Sequence, residues 1–150
     1  MLAGRRVLAR RLVTNKDLTL VHGDAHVGNM LYPREGSGDR VRFVDWEIWR
    51  TRPGAWDLAY LMAVHWFPER RRSFEDRLLQ HYHRALEAEG MQGYGLEALC
   101  TDYRLALIDQ LGVPLYQAEQ KLPPWLWWSH FERIMLAYED LGCEELLNGA

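Results

Sequence analysis

Three short apolar runs in the first third of the chain, each ended by turn-forming residues, constrain this fold most. They cover residues 18–21, 29–33 and 41–45. The last two flank the segment REGSGDR, residues 34–40, which is rich in turn formers. Short β-leaning runs on either side of such a segment are typical of a β-hairpin. The sequence therefore predicts a small β region, preceded by a short helix over residues 2–14.

From Ala55 onward, the pattern changes to helical spacing. Residues 55–67 are apolar nearly all round, which predicts a buried helix. Ser73 and Asp76 have the spacing of a capping box, so we expect the next helix to open at Ser73. The four predicted helices are residues 55–67, a segment from Ser73 to Gly90, one that ends at Gly112, and one that starts at Pro123-Pro124 and ends at Gly142. A β region followed by helices is an α+β fold, and we expect one domain over residues 1–150.

Composition excludes several kinds of partner. The chain has 150 residues and a formal net charge of -3, which argues against a general nucleic-acid binder. Its apolar runs are all shorter than the roughly 18 residues that a membrane span requires, so we expect no membrane partner. The only two cysteines, Cys100 and Cys143, form no CxxC pair. Isolated thiols favour a reducing compartment, and we expect a cytoplasmic protein.

Three oxygen-bearing side chains mark the β region as a candidate site. Asp24 follows the first apolar run, Asn29 comes five residues later, and Asp45 ends the second arm of the expected hairpin. Pairing of the hairpin would bring Asn29 and Asp45 to the same end, close to Asp24. Oxygen ligands without a nearby cysteine suit a hard cation such as Mg²⁺. Asn29 and Asp45 would bind the metal, and Asp24 would accept a proton from a hydroxyl group. This is the arrangement of phosphoryl transfer.

The motifs HGDAHVGN, residues 22–29, and FVDWE, residues 43–47, resemble those of the aminoglycoside phosphotransferase and choline kinase superfamily. The closest likeness is to its ecdysteroid-kinase-like and related bacterial small-molecule kinases. The segment GAWDLAYL, residues 54–61, resembles the next element of that family. The resemblance implies the C-terminal lobe of a protein-kinase-like fold, mainly helical, with the motifs on a small β-hairpin. It also implies transfer of the γ-phosphate of Mg-ATP to a hydroxyl group of a small molecule.

The resemblance assigns roles to individual positions. Asp24 would be the catalytic base, while Asn29 and Asp45 would hold Mg²⁺ and thereby the ATP phosphates. His22, Gly23 and Asp57 would support the loop. His26 and Glu47 would lie around the site or face the substrate. A separate interpretation of His26 as a metal ligand is weaker, because a single loop histidine is more often a hydrogen-bonded structural group.

Kinases of this class also need an N-terminal lobe with a loop over the phosphates and a lysine that pairs with them. The sequence has sixteen arginines but only Lys16 and Lys121 as lysines, and neither lies in a suitable strand. No GxGxxG or P-loop pattern is present. We therefore expect a C-terminal lobe that is weakly active or inactive alone, partnered by a missing N-terminal lobe or by a second copy in a homodimer.

Two other classes of function remain as alternatives. A metal-dependent phosphoesterase would explain the clustering of His and Asp, although such sites usually have more ligands. A non-catalytic kinase-like binding module would keep the fold and use the exposed apolar interface for association.

Overall fold

A computed structural model describes residues 2–14 and 16–148. Seven helices lie in this part of the chain: α1 (Leu2–Val13), α2 (Ala55–Ala59), α3 (Pro68–Ala88), α4 (Leu96–Gln110), α5 (Gly112–Glu119), α6 (Pro124–Asp140) and α7 (Glu145–Asn148). The strands are β1 (Thr19–Val21), β2 (Met30–Leu31), β3 (Arg42–Phe43) and β4 (Arg50–Arg52). The fold is mainly helical with small antiparallel sheets, as expected for an α+β class.

Two antiparallel strand pairs form the β region, one nested inside the other in sequence. β2 and β3 form the predicted hairpin, with Met30 opposite Phe43. β1 pairs with β4, with Val21 opposite Arg50. Strand β4 was not predicted from the sequence, because the run Arg-Thr-Arg carries no apolar signal. The β1–β4 pairing closes the segment between them into one loop structure and fixes both of its ends.

Helix α4 lies at the centre of the core. Its residues Leu99, Tyr103 and Leu107 are fully buried, and α2 packs against it through Ala55 and Ala59, which are 0% exposed. Alanine side chains allow two helices to approach closely. Within the described residues, no helix has the length and apolar character needed to cross a membrane.

The helical predictions were partly wrong. Ser73 does not open a helix: α3 begins at Pro68, whose fixed φ suits a first helical position. The Ser73 hydroxyl instead donates to the Glu69 carbonyl at 2.8 Å inside the helix. Gly112 follows the end of α4 but starts α5 directly, so more helices follow the β region than the four expected. The starts at Ala55 and Pro124 are confirmed.

Candidate active site

The loop after β1 is held by a carboxylate from helix α2. Asp57 Oδ2 accepts the backbone N–H of His22 at 2.7 Å, and its Oδ1 accepts that of Gly23 at 2.9 Å. Asp57 lies in the first turn of α2, where the helix dipole favours a negative charge. Both carboxylate oxygens of Asp57 therefore accept from consecutive backbone N–H groups. These two bonds fix the direction of the backbone just before Asp24.

His22 links this loop to the hairpin. The side chain is buried, and its Nε2 hydrogen-bonds the carbonyl of Val44 at 2.8 Å. Its Nδ1 accepts the backbone N–H of Asp24 at 3.2 Å. Because Nδ1 accepts, the neutral ring carries its proton on Nε2 and donates to Val44. One imidazole therefore connects the residue before Asp45 with the backbone of Asp24.

Asn29 contacts Asp24 directly. Its Nδ2 donates to the Asp24 carboxylate oxygen Oδ2 at 2.9 Å and to the Asp24 carbonyl at 3.0 Å. The short 3₁₀ turn Val27–Asn29 makes this possible, because it folds the chain back within five residues. With the amide nitrogen turned toward Asp24, Oδ1 is the end of Asn29 available to a metal ion.

Asp45 lies beside Asn29 across the hairpin. The backbone N–H of Val44 donates to the carbonyl of Asn29 at 3.0 Å, so Asp45 is one residue beyond the paired position. Asp45 has a φ of 65°, a left-handed conformation that Asp tolerates better than most residues. Its side chain is exposed, as is that of Glu47 two residues on. The carboxylate of Asp45 therefore lies at the surface of the site, where a solvated ligand could reach it.

The residues fit a magnesium ion held mainly by a bound phosphate. Mg²⁺ usually takes one or two protein carboxylates and fills its shell with water and phosphate oxygens. Asn29 has an amide oxygen and Asp45 has a carboxylate that could serve as ligands, and the two residues lie near the same end of the hairpin. Across residues 2–14 and 16–148, no group of three or more His, Cys, Asp or Glu side chains is arranged to hold a metal.

A row of rings that the sequence analysis missed borders Asp24. His26, His65 and His130 follow one another, with ring centroids 5.1 Å apart for the first pair and 5.2 Å for the second. The ring of Tyr60 packs on His65 with ring centroids 4.8 Å apart, and its hydroxyl lies close enough to Asp24 to feel the negative charge of that carboxylate. Burial first, and then Asp24, raises the pKa of Tyr60 well above its usual range, so this hydroxyl keeps its proton.

A π-helical turn over Tyr60–Val64 explains why Tyr60 and His65 meet. Residues five apart on an α-helix point about 140° away from each other. The wider π turn brings such residues to the same side, and π turns are frequent at functional sites. The only sequence signal was a histidine in an otherwise apolar helical segment, and it gave no hint of the wider turn.

Burial lowers the pKa of His65 to about 4, and the neighbouring His130 and His26 add to the effect. The pKa of His130 is also lowered, chiefly by burial and then by Arg133. His65 Nε2 is buried, and none of the described residues hydrogen-bonds to it. The side chain of His65 is therefore uncharged near neutral pH, although the carboxylate of Asp24 lies nearby.

Comparison with models of known protein families identifies the family of this chain. The model of the ecdysteroid kinase-like family matches residues 8–92, which include every site residue from His22 to His65. The match spans more than half of the chain, and the chain belongs to the ecdysteroid kinase-like family. No curated protein and no solved structure matches it.

Proposed function

We propose that this chain is the catalytic lobe of an ATP-dependent phosphotransferase that acts on a hydroxyl group of a small molecule. One observation carries the proposal: Asn29 donates to Asp24 through its amide nitrogen, and the hairpin places Asp45 next to Asn29. In the proposed site, Asp24 would be the base, and Asn29 and Asp45 would be the metal ligands. Membership of a kinase-like family supports the same function.

In the proposed reaction, Asp24 accepts the proton of the acceptor hydroxyl. The hydroxyl oxygen forms a bond to the γ-phosphorus of ATP, and the bond from that phosphorus to the bridging oxygen breaks, with its electron pair leaving on ADP. Asn29 and Asp45 would hold Mg²⁺, which supplies positive charge to the phosphate oxygens. Most of the rate gain in such reactions comes from positioning and electrostatic stabilisation.

The apolar surface of the β region supports a role for a further lobe or a second copy. Large apolar side chains that are more than a third exposed concentrate between Leu20 and Trp49: Leu20, Val27, Leu31, Tyr32, Val41, Phe43, Val44, Trp46, Ile48 and Trp49. Clustered apolar exposure of this kind marks association surfaces. We propose that a nucleotide-binding partner covers this face. Without that partner, we expect residues 1–150 to phosphorylate their substrate slowly.

The alternative of a metal-dependent phosphoesterase gains no support from the described residues. Hydrolysis by a metal-bound hydroxide usually requires a richer set of His and Asp ligands than Asn29 and Asp45 provide. His26 contacts Asp24 and Gly28, and the histidine row is not arranged as a metal cluster in the part of the chain described.

The function can be tested with Mg-ATP and a panel of acceptors that includes an ecdysteroid, sugars and amino alcohols. Wild-type protein and Asp24→Asn are compared by ADP release and by mass spectrometry of the acceptor. We expect a product heavier by one phosphoryl group, and at least a 100-fold loss of rate in Asp24→Asn. Asp39→Asn, in the hairpin loop, is the matched control. Absence of both ATP binding and product with every acceptor would overturn the proposal.

A further inference from the structure

We propose that His26 is a positioning residue that holds the carboxylate of Asp24 for the acceptor hydroxyl. Its Nε2 lies 3.4 Å from Asp24 Oδ2, the oxygen that also accepts from Asn29. The inference rests on the proposed function, in which Asp24 is the base. It adds a role for a histidine that is neither the base nor a metal ligand.

The hydrogen bonds of His26 determine where its proton is. Nδ1 accepts the backbone N–H of Gly28 at 3.0 Å. A backbone N–H can only donate, so Nδ1 carries a lone pair, and the proton of the neutral ring is on Nε2. That N–H group therefore belongs to the nitrogen that faces Asp24. At 3.4 Å the contact is long for a hydrogen bond, and catalytic contacts commonly shorten when substrate binds.

The surroundings keep the ring in this place. A Cβ on Gly28 would lie 2.8 Å from His26 Cε1 and 2.9 Å from Nδ1, so the ring fits only because residue 28 is glycine. The ring of His65 lies 5.1 Å away at an interplanar angle of 49°. His26 is thus held between its own loop and His65, with Nδ1 bonded to the loop and Nε2 facing Asp24.

His26 also has a structural role, which the test must separate from positioning. Its side chain caps the 3₁₀ turn Val27–Asn29 by accepting from Gly28. Asparagine is a good cap, so His26→Asn keeps an acceptor for the Gly28 N–H. The asparagine side chain is shorter than that of histidine and has no group at the position of Nε2. Capping alone therefore predicts wild-type behaviour in His26→Asn, whereas positioning of Asp24 predicts a defect.

The kinetic test measures kcat and the KM for ATP, with the acceptor from the panel above that gives most product. We expect His26→Asn to lower kcat by about 10- to 100-fold with little change in KM, because a displaced base affects the chemical step. Gly28→Ala, which forces the ring to move, should give the same pattern. His81→Asn, an exposed histidine on α3, is the control and should leave both constants unchanged.

An NMR experiment on protein with ¹⁵N-labelled histidine tests the contact independently of turnover. We expect His26 as the Nε2–H tautomer, with an Nε2 resonance that shifts in Asp24→Ala but not in Asp39→Ala. A wild-type kcat in His26→Asn, or an Nδ1–H tautomer of His26, would overturn the inference. If the wild-type protein gives the expected NMR result but shows no turnover, the result counts against the proposed function and not against the contact between His26 and Asp24.

Discussion

The carboxylate of Asp57 accepts the backbone N–H of His22 at 2.7 Å, although the two residues are 35 positions apart in sequence. This bond and its neighbour to Gly23 connect the first turn of α2 to the loop that carries Asp24. The helical part of the molecule therefore fixes the position of the candidate base through hydrogen bonds to its backbone.

Replacement of Asp57 by alanine should destabilise the protein. The change leaves the N–H groups of His22 and Gly23 without an acceptor in a partly buried place, and each lost partner costs about 1–3 kcal/mol. We expect the free energy of unfolding in urea to fall by about 2–4 kcal/mol. Asp39→Ala, in the exposed hairpin loop, should change it by less than about 0.5 kcal/mol. Equal effects of the two variants would contradict the bracing role of Asp57.

Gly23 and Gly36 form a matched pair for alanine substitution. Both have positive φ, 85° and 78°, so an alanine is strained by the backbone at either position. At Gly23, the new Cβ would also meet the carbonyl oxygen of Ile48 at 2.5 Å, whereas at Gly36 nothing lies within 4 Å. We expect Gly36→Ala to cost about 1 kcal/mol and Gly23→Ala to cost at least about 2 kcal/mol. Thermal unfolding of both variants measures the difference, and similar melting temperatures would refute it.

A buried ion pair between Arg71 and Glu75 should be sensitive to loss of one charge. Arg71 is 1% exposed and donates to Glu75 at 2.7 Å, and Tyr103 donates to the same carboxylate. Glu75→Gln leaves the guanidinium with Asp140 as its remaining carboxylate partner. We expect a loss of about 2–3 kcal/mol in urea unfolding, below the full cost of breaking a buried pair. Asp76→Asn, on the exposed side of α3, should be nearly neutral.

Acid should destabilise the protein through His65. Its pKa is lowered from 6.5 to about 4 in the folded state, chiefly by burial. Between these values the unfolded chain binds more protons, so folding stability falls as the pH drops from about 6.5 toward 4. The contribution is on the order of 3 kcal/mol. We expect His65→Phe to flatten this part of the stability–pH curve, measured by urea unfolding. His81→Asn should not, and parallel curves for wild type and His65→Phe would rule out the effect.

Magnesium binding should depend on the nucleotide. Asn29 and Asp45 supply only two oxygen donors, so we expect weak binding of Mg²⁺ alone and tighter binding with ATP. In calorimetric titrations, Asp45→Ala should weaken the binding of Mg-ATP about 10-fold or more without unfolding the protein, because Asp45 is exposed. Glu35→Ala, which removes an exposed carboxylate in the hairpin loop, is the control. Equal binding by Asp45→Ala and wild type would remove Asp45 from the proposed metal site.

The hairpin, the order of the motifs and the positions of several helix starts could be predicted from the sequence. These features depend on local signals, such as the turn formers between β2 and β3 and the proline at the start of α6. The start of α3 at Pro68 and the presence of α5 could not be predicted. At Ser73 a cap motif competed with Pro68, whose fixed φ suits a first helical position, and the helix begins at Pro68.

The sequence by itself identified Asp24, Asn29 and Asp45 as the candidate site residues. The spacing from Asp24 to Asn29 and the hairpin between Asn29 and Asp45 are local, since turn chemistry and strand alternation act over a few residues. Only the tertiary structure decided what surrounds them. The contacts from Asp57 to His22, from Tyr60 to Asp24 and among His26, His65 and His130 join segments far apart in the chain. Such contacts depend on how α2 and α6 pack around α4, and no local pattern encodes that packing.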